Sequence, residues 1–166
     1  MDTRCVPLEI IAGLNGRLFR NCCDQVTDAV AGRRLSDVTS SFLFVACHIV
    51  DARAYLVGLV GGAANLPLVS RLRSVEKIEH LPAPPTVAEL LDAWDVLATS
   101  FLKCLPRLSS QDLNRESGDR MPVADRSVLG TLAFLLQHES YHLGQLAMLK
   151  KHLTGTAMKY SAHQDL

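Results

Sequence analysis

Neither sign of charge is in excess in this sequence: 17 basic side chains face 17 acidic ones, and the formal net charge is zero. Aromatic residues are scarce, at 5%, and do not interleave with the basic ones. Nucleic-acid and anionic-membrane binders carry a basic footprint, and none is visible here. The five cysteines (Cys5, Cys22, Cys23, Cys47 and Cys104) are odd in number and form no C-x-x-C pair. That argues against a disulfide framework and for reduced thiols used as small packing residues. The opening "MDTRCVPLEI" lacks the features of a secretory leader, and His48, Asp51 and Arg53 interrupt one of the longest apolar stretches. Both observations predict a cytoplasmic chain without a bilayer span. A glycine-rich phosphate loop, a G-x-S-x-G elbow and a Rossmann fingerprint are also missing, so nucleotide-dependent and serine-hydrolase chemistry have no motif.

What the chain does have is helical periodicity. Its 166 residues, 48% of them hydrophobic, suffice for a single domain over 1–166 with a sizeable core. Proline and glycine divide it into four long apolar-periodic segments. The first is expected from about Pro7 to Ala31, stopping at Gly32, and the second from about Thr39 to Leu59, stopping at Gly61-Gly62. The third opens on Thr86 and Glu89, spaced as a capping box, and reaches about Cys104 before Pro106. The fourth starts near Asp125 and ends at Gly155, a left-handed cap. About two dozen residues, "AANLPLVSRLRSVEKIEHLPAPP", join the second and third, with room for a short helix and a crossing over the bundle end. No segment alternates with period two for long enough to argue a strand. The expected fold is all-α, a four-helix bundle with a long crossover connection.

The fourth segment contains "HESYHLGQ", residues 138–145. Its inward stripe, at steps of three and four, reads Val128, Thr131, Leu135, His138, His142, Leu146, Leu149 and Leu153. Four residues advance a helix by ~400° and ~6 Å, so His138 and His142 project from one face and can converge on one ion. On the second segment the stripe Val45, His48, Ala52, Tyr55 and Leu59, widened by Phe42, Ile49 and Leu56, carries a third histidine. If the two helices pack together, the three make a metal site with open positions, as catalytic metals have. Histidines held by hydrogen bonds in the core are the competing reading.

H-E-x-x-H is also the signature of zinc metalloproteases. That chemistry needs a third ligand downstream, and Glu139 is the last glutamate of the chain. The extended protease pattern would require Gly at 145 and His at 148, where Gln145 and Met148 stand. His152 lies ~15 Å along the axis from His142, and no edge strand is available to bind a peptide. The protease reading therefore fails.

Around the histidines, "FVACHIVDARAYLVGLVG" and "LLQHESYHLGQLAMLKKHLTG", with "PTVAELLDAW" at the third helix, strongly resemble the DinB-like superfamily over essentially the whole chain. The resemblance implies a divalent metal (zinc or nickel first, manganese or iron next) held by His48, His138 and His142. It also implies a small-molecule substrate, a homodimer and, among relatives, thiol S-transferases that use low-molecular-weight thiols, besides hydrolases. Three neutral imidazoles leave the ion its full charge, which would lower the pKa of a coordinated water or thiol toward neutrality.

Glu139 is the candidate for a catalytic role, orienting an imidazole or relaying a proton, with a solvated surface carboxylate as the alternative. Asp51, one turn after His48, has the same two readings, with a surface or salt-bridge role favoured. Packing is the commoner reason for the pair Gly144 and Gln145, and core or rim packing for Tyr55 and Tyr141. Arg53, Arg73 and Arg126 are candidates for an anion-accepting wall beside the metal. Cys47, His80 and His163 are assigned no role. A metal-binding stress-response or interaction protein without turnover is the rival to an enzyme, and it predicts no substrate-sized cavity.

Overall fold

The computed structural model describes residues 2–160 apart from 77 and 119. Among the described residues there is no strand, only an isolated bridge between Glu116 and Ser127. Four long helices carry the fold: α1 (Cys5–Cys23), α3 (Phe42–Leu59), α5 (Val87–Cys104) and α7 (Val128–Thr154). Three short ones, α2 (Asp28–Ala31), α4 (Pro67–Arg73) and α6 (Ser110–Asn114), lie in the connections.

The helix ends follow side-chain chemistry legible in the sequence. Ser41 Oγ accepts the Phe44 N–H at 3.1 Å and starts α3. Thr86 and Glu89 form the expected capping box, with the Glu89 N–H on Thr86 Oγ1 and the Thr86 N–H on Glu89 Oε2. Gly155, at φ 75°, ends α7 in the left-handed region.

Two boundaries differ from expectation. The first segment is not one helix: Gln25 takes φ 61° after α1, and Thr27 then caps the separate turn α2. Asp28 of that turn accepts the Val87 N–H at 2.7 Å, pinning it to the start of α5. The start of α7 is displaced to Ser127, which caps the helix through Gly130, because Asp125 turns back and accepts the Ser127 N–H. The crossover holds the expected short helix, α4, and a 3-10 turn at Ile78–His80.

The long helices pack in a ring, α1 against α7, α7 against α3, α3 against α5 and α5 against α1. One apolar core lies inside that ring, with Phe19, Phe42, Ile49, Trp94, Phe101, Leu132 and Leu136 fully buried. The first expectation for α3 also needs correction. Its 18 residues and mean hydropathy of 1.6 are long and apolar enough for a bilayer span by length and composition. Its burial explains the apolarity without a membrane, since 56% of it is covered by the protein itself.

Much of the expected stripes is buried, Val128, Thr131, Leu135, Leu146 and Leu149 on α7 and Phe42, Val45, Ile49 and Leu56 on α3, but around the histidines the deepest line lies one position away. On α3 the buried line runs Val45, Ile49, Arg53, Leu56, and on α7 it runs Leu132, Leu136, Glu139, Leu143, Leu146. One residue is ~100° of helix rotation. His48, His138 and His142 therefore flank the core, half-buried, at the seam where α3 meets α7. A core position would have sealed the imidazoles; the seam leaves them reachable.

Candidate metal centre

At that seam the three imidazoles converge. His138 Nε2 stands 3.3 Å from His48 Nε2 and 3.0 Å from His142 Nε2, and one ligand nitrogen of each ring lies within 4.8 Å of the other two. The spacing has a chemical meaning. A tetrahedral ion with metal–nitrogen bonds of about 2.0–2.1 Å holds its ligand nitrogens about 3.3–3.4 Å apart. The competing reading, histidines satisfied by hydrogen bonds, does not account for the arrangement. One proton on His138 Nε2 can serve one neighbour, and the buried Nδ1 of the same ring has no partner among the described residues.

The tautomer is set from outside the cluster. His142 Nδ1–H donates to Gln145 Oε1 at 2.6 Å, which leaves the Nε2 lone pair free to coordinate. Gln145 is in turn held by its Nε2–H, which donates to the Tyr141 hydroxyl at 3.2 Å. Gln145 is thus more than the packing residue expected, and its i+3 spacing from His142 is the sequence signal for this role. Gly144 approaches no other helix among the described residues, since a Cβ there would meet nothing within 4 Å. Replacing Gln145 by alanine is expected to weaken divalent-metal affinity about 10–100-fold, as loss of an outer-sphere partner does elsewhere, measured by competition with a chromophoric chelator.

The electrostatics favour neutral, ligand-competent rings. Burial first, then the neighbouring His142 and His48, push His138 down to about 4. His48 is lowered by burial and by His142, with Asp51 opposing. The unfolded state therefore binds a proton on His138 between about pH 4 and about 6.5 that the folded metal-free state does not. The contribution to stability is present above about pH 6.5 and is lost as pH falls toward about 4. Urea titrations of metal-free protein across this range should show a steeper loss for the parent than for His138→Gln.

Glu139 is placed differently from both expectations. It is fully buried, so the solvated-surface alternative is corrected, and it hydrogen-bonds none of the three imidazoles. Its oxygens accept a fork from Arg53: Nε to Oε1 at 2.7 Å and Nη2 to Oε2 at 2.6 Å. Asn15 adds a donor to Oε2 at 3.3 Å, and Ser140 Oγ donates to Asn15 Oδ1 at 3.0 Å. Burial pushes the Glu139 carboxyl up, against the opposing charge of Arg53. The guanidinium carbon of Arg53 lies 4.6 Å from the Trp94 ring centre and 5.2 Å from that of Phe101, so its unpaired Nη1 is covered by aromatic faces. Arg53 is therefore in the core, not in an anion-binding wall.

Beside the cluster opens a cleft of about 360 Å³, lined by His48, Asp51, Ala52, Tyr55, Arg73, Met121, Leu135 and His138. Asp51 takes the expected salt bridge, to Arg73, while Arg126 is exposed and outside the cleft. Cys47 is buried away from the rings, with its thiol pushed up to about 12 by burial, and His80 is exposed. His163 lies outside the described residues.

A helical bundle that brings three imidazoles of two neighbouring helices to one point defines a protein of the bundle class suited to a divalent metal. The chain belongs to the DinB superfamily, whose family model matches residues 14–146 and so takes in His48, His138, His142 and Gln145. No curated protein matches it.

Proposed function

We propose that this protein is a metal-dependent enzyme acting on small molecules, a thiol S-transferase or a hydrolase, with the ion held by His48, His138 and His142. Zinc or nickel suits three imidazoles best, with manganese or iron next. When bound, the ion would supply Lewis-acid activation of a thiol or water at neutral pH. The chain's own groups do the rest. Gln145 fixes the His142 tautomer, Tyr141 holds Gln145, and Glu139 acts through Arg53 on helix position instead of touching a ring.

The observation that carries the reading is the cleft: two of the three imidazoles, His48 and His138, form part of its wall. The rival, a metal-binding protein without turnover, predicts no substrate-sized cavity at the ligands. The cleft's volume falls within the range of ligand pockets, about 300–1,000 Å³. Free cysteines fit a cytoplasmic setting. The proposal includes a homodimer, for which the groove between α1 and α7, with Ile11, Leu14, Ala133 and Gly144 on its wall, is the candidate surface.

The test is turnover of a chromogenic electrophile with a low-molecular-weight thiol, and of activated esters and amides with water. The metal-loaded parent is compared with His138→Ala. Turnover by the parent alone supports the enzyme; none in either protein with metal bound favours the non-catalytic rival.

A further inference from the structure

The cleft has an apolar side and a charged rim. Ala52, Leu135 and Met121 supply the first, and Asp51 and Arg73 supply the second. These two are the only charged side chains among the described residues that line it. Arg73 is the last residue of α4, in the crossover, and Asp51 sits three residues after His48 on α3. Their contact is a single one, Arg73 Nε to Asp51 Oδ1 at 2.6 Å, with the side chains 48% and 43% exposed. The two terminal nitrogens of Arg73 have no partner among the described residues. Such a solvent-exposed pair is weakly held, and a guanidinium with two free corners matches a carboxylate better than any other side chain does.

Three neutral imidazoles would leave a bound divalent ion its full charge, so with metal the cleft would be cationic at the cluster, and Arg73, paired with Asp51, supplies a second cation at its rim. Building on the proposed metal-dependent function, we propose that Arg73 is the specificity residue of this cleft. It receives the carboxylate of a small molecule whose apolar body lies on Leu135 and Met121 and whose other end reaches the histidine cluster. Asp51 tethers the guanidinium at the rim through Nε and leaves its two terminal nitrogens to the ligand carboxylate. The substrate class is thus a compact organic anion, not a neutral or cationic molecule.

The test uses cobalt-loaded protein and a series of ω-mercaptocarboxylates of two to five methylenes, each paired with its neutral ω-mercaptoamide. Binding is read from the thiolate-to-cobalt absorption band. The best carboxylate is expected to bind about tenfold or more tightly than its amide, the scale of a charge-assisted hydrogen bond. Arg73→Gln should abolish that preference while leaving amide affinity unchanged. Asp51→Asn, which releases the guanidinium, should keep or enlarge it. Equal binding of acid and amide by the parent, or a preference that survives Arg73→Gln, would overturn the inference and leave the metal-activated thiol reading intact. No band with any thiol would instead sink that reading, and this inference with it.

Discussion

Glu139→Ala is expected to destabilise the protein by about 3–5 kcal/mol, the cost of leaving a buried partner charge uncompensated. Arg53 is wholly enclosed, so its charge cannot reach water once the carboxylate is gone. Glu139→Gln should cost less than Glu139→Ala but still substantially, because the amide keeps one acceptor and loses the charge. The double replacement Arg53→Met with Glu139→Leu should recover much of the loss, since apolar side chains of similar volume remove the desolvation problem. Urea denaturation of the three variants checks the order. An effect of Glu139→Ala below about 1 kcal/mol, the range of exposed ion pairs, would mean that the pair is not sealed from solvent.

The position of this pair explains its presence better than its stability does. Arg53 lies on α3 five residues after His48, and Glu139 lies on α7 beside His138. A forked contact of 2.6 and 2.7 Å fixes one helix against the other in height and rotation. Asn15 bonds both Glu139 and the Leu136 carbonyl, which brings α1 into the same register. The histidine cluster, built from the same two helices, inherits that register.

Saturating divalent metal is expected to produce the second large effect. A ligand that binds only the folded state at 100 to 1,000 times its dissociation constant stabilises by about 2.7–4.1 kcal/mol. Thermal melting should therefore shift upward with zinc or nickel in the parent and return with chelator. His138→Ala should not respond, because His138 Nε2 is the nitrogen that both other rings approach. A shift of equal size in that variant would place the ion elsewhere.

The four long helices could be read from the sequence because their punctuation is local chemistry: Thr86 with Glu89, Gly155, and the stop after Leu59. The break after α1 could not. It depends on Gln25 adopting a positive φ and on Asp28 reaching the Val87 N–H, a contact 59 residues away. The histidine triad was legible from i, i+4 spacing and from the polar interruption at His48. Around the histidines the core line lies one position from the expected stripe, because Arg53 and Glu139 look like surface residues when each is read alone. Only as an opposite pair on facing helices do they become core residues. Ile49–Arg53–Leu56 and Leu136–Glu139–Leu143 each set a charge between buried apolar neighbours at helical spacing. That pattern, matched between two segments, was the signal.

The most direct test of the account is the metal content of protein purified without a His tag or chelator, alongside His48→Ala and His138→Ala, by mass spectrometry. The account predicts about one divalent ion per chain in the parent, from one cluster of three convergent imidazoles, and loss of that ion in both variants. An ion retained in His48→Ala would contradict the joint site on α3 and α7. No ion in the parent, even after soaking with zinc, nickel and manganese, would contradict the metal centre altogether.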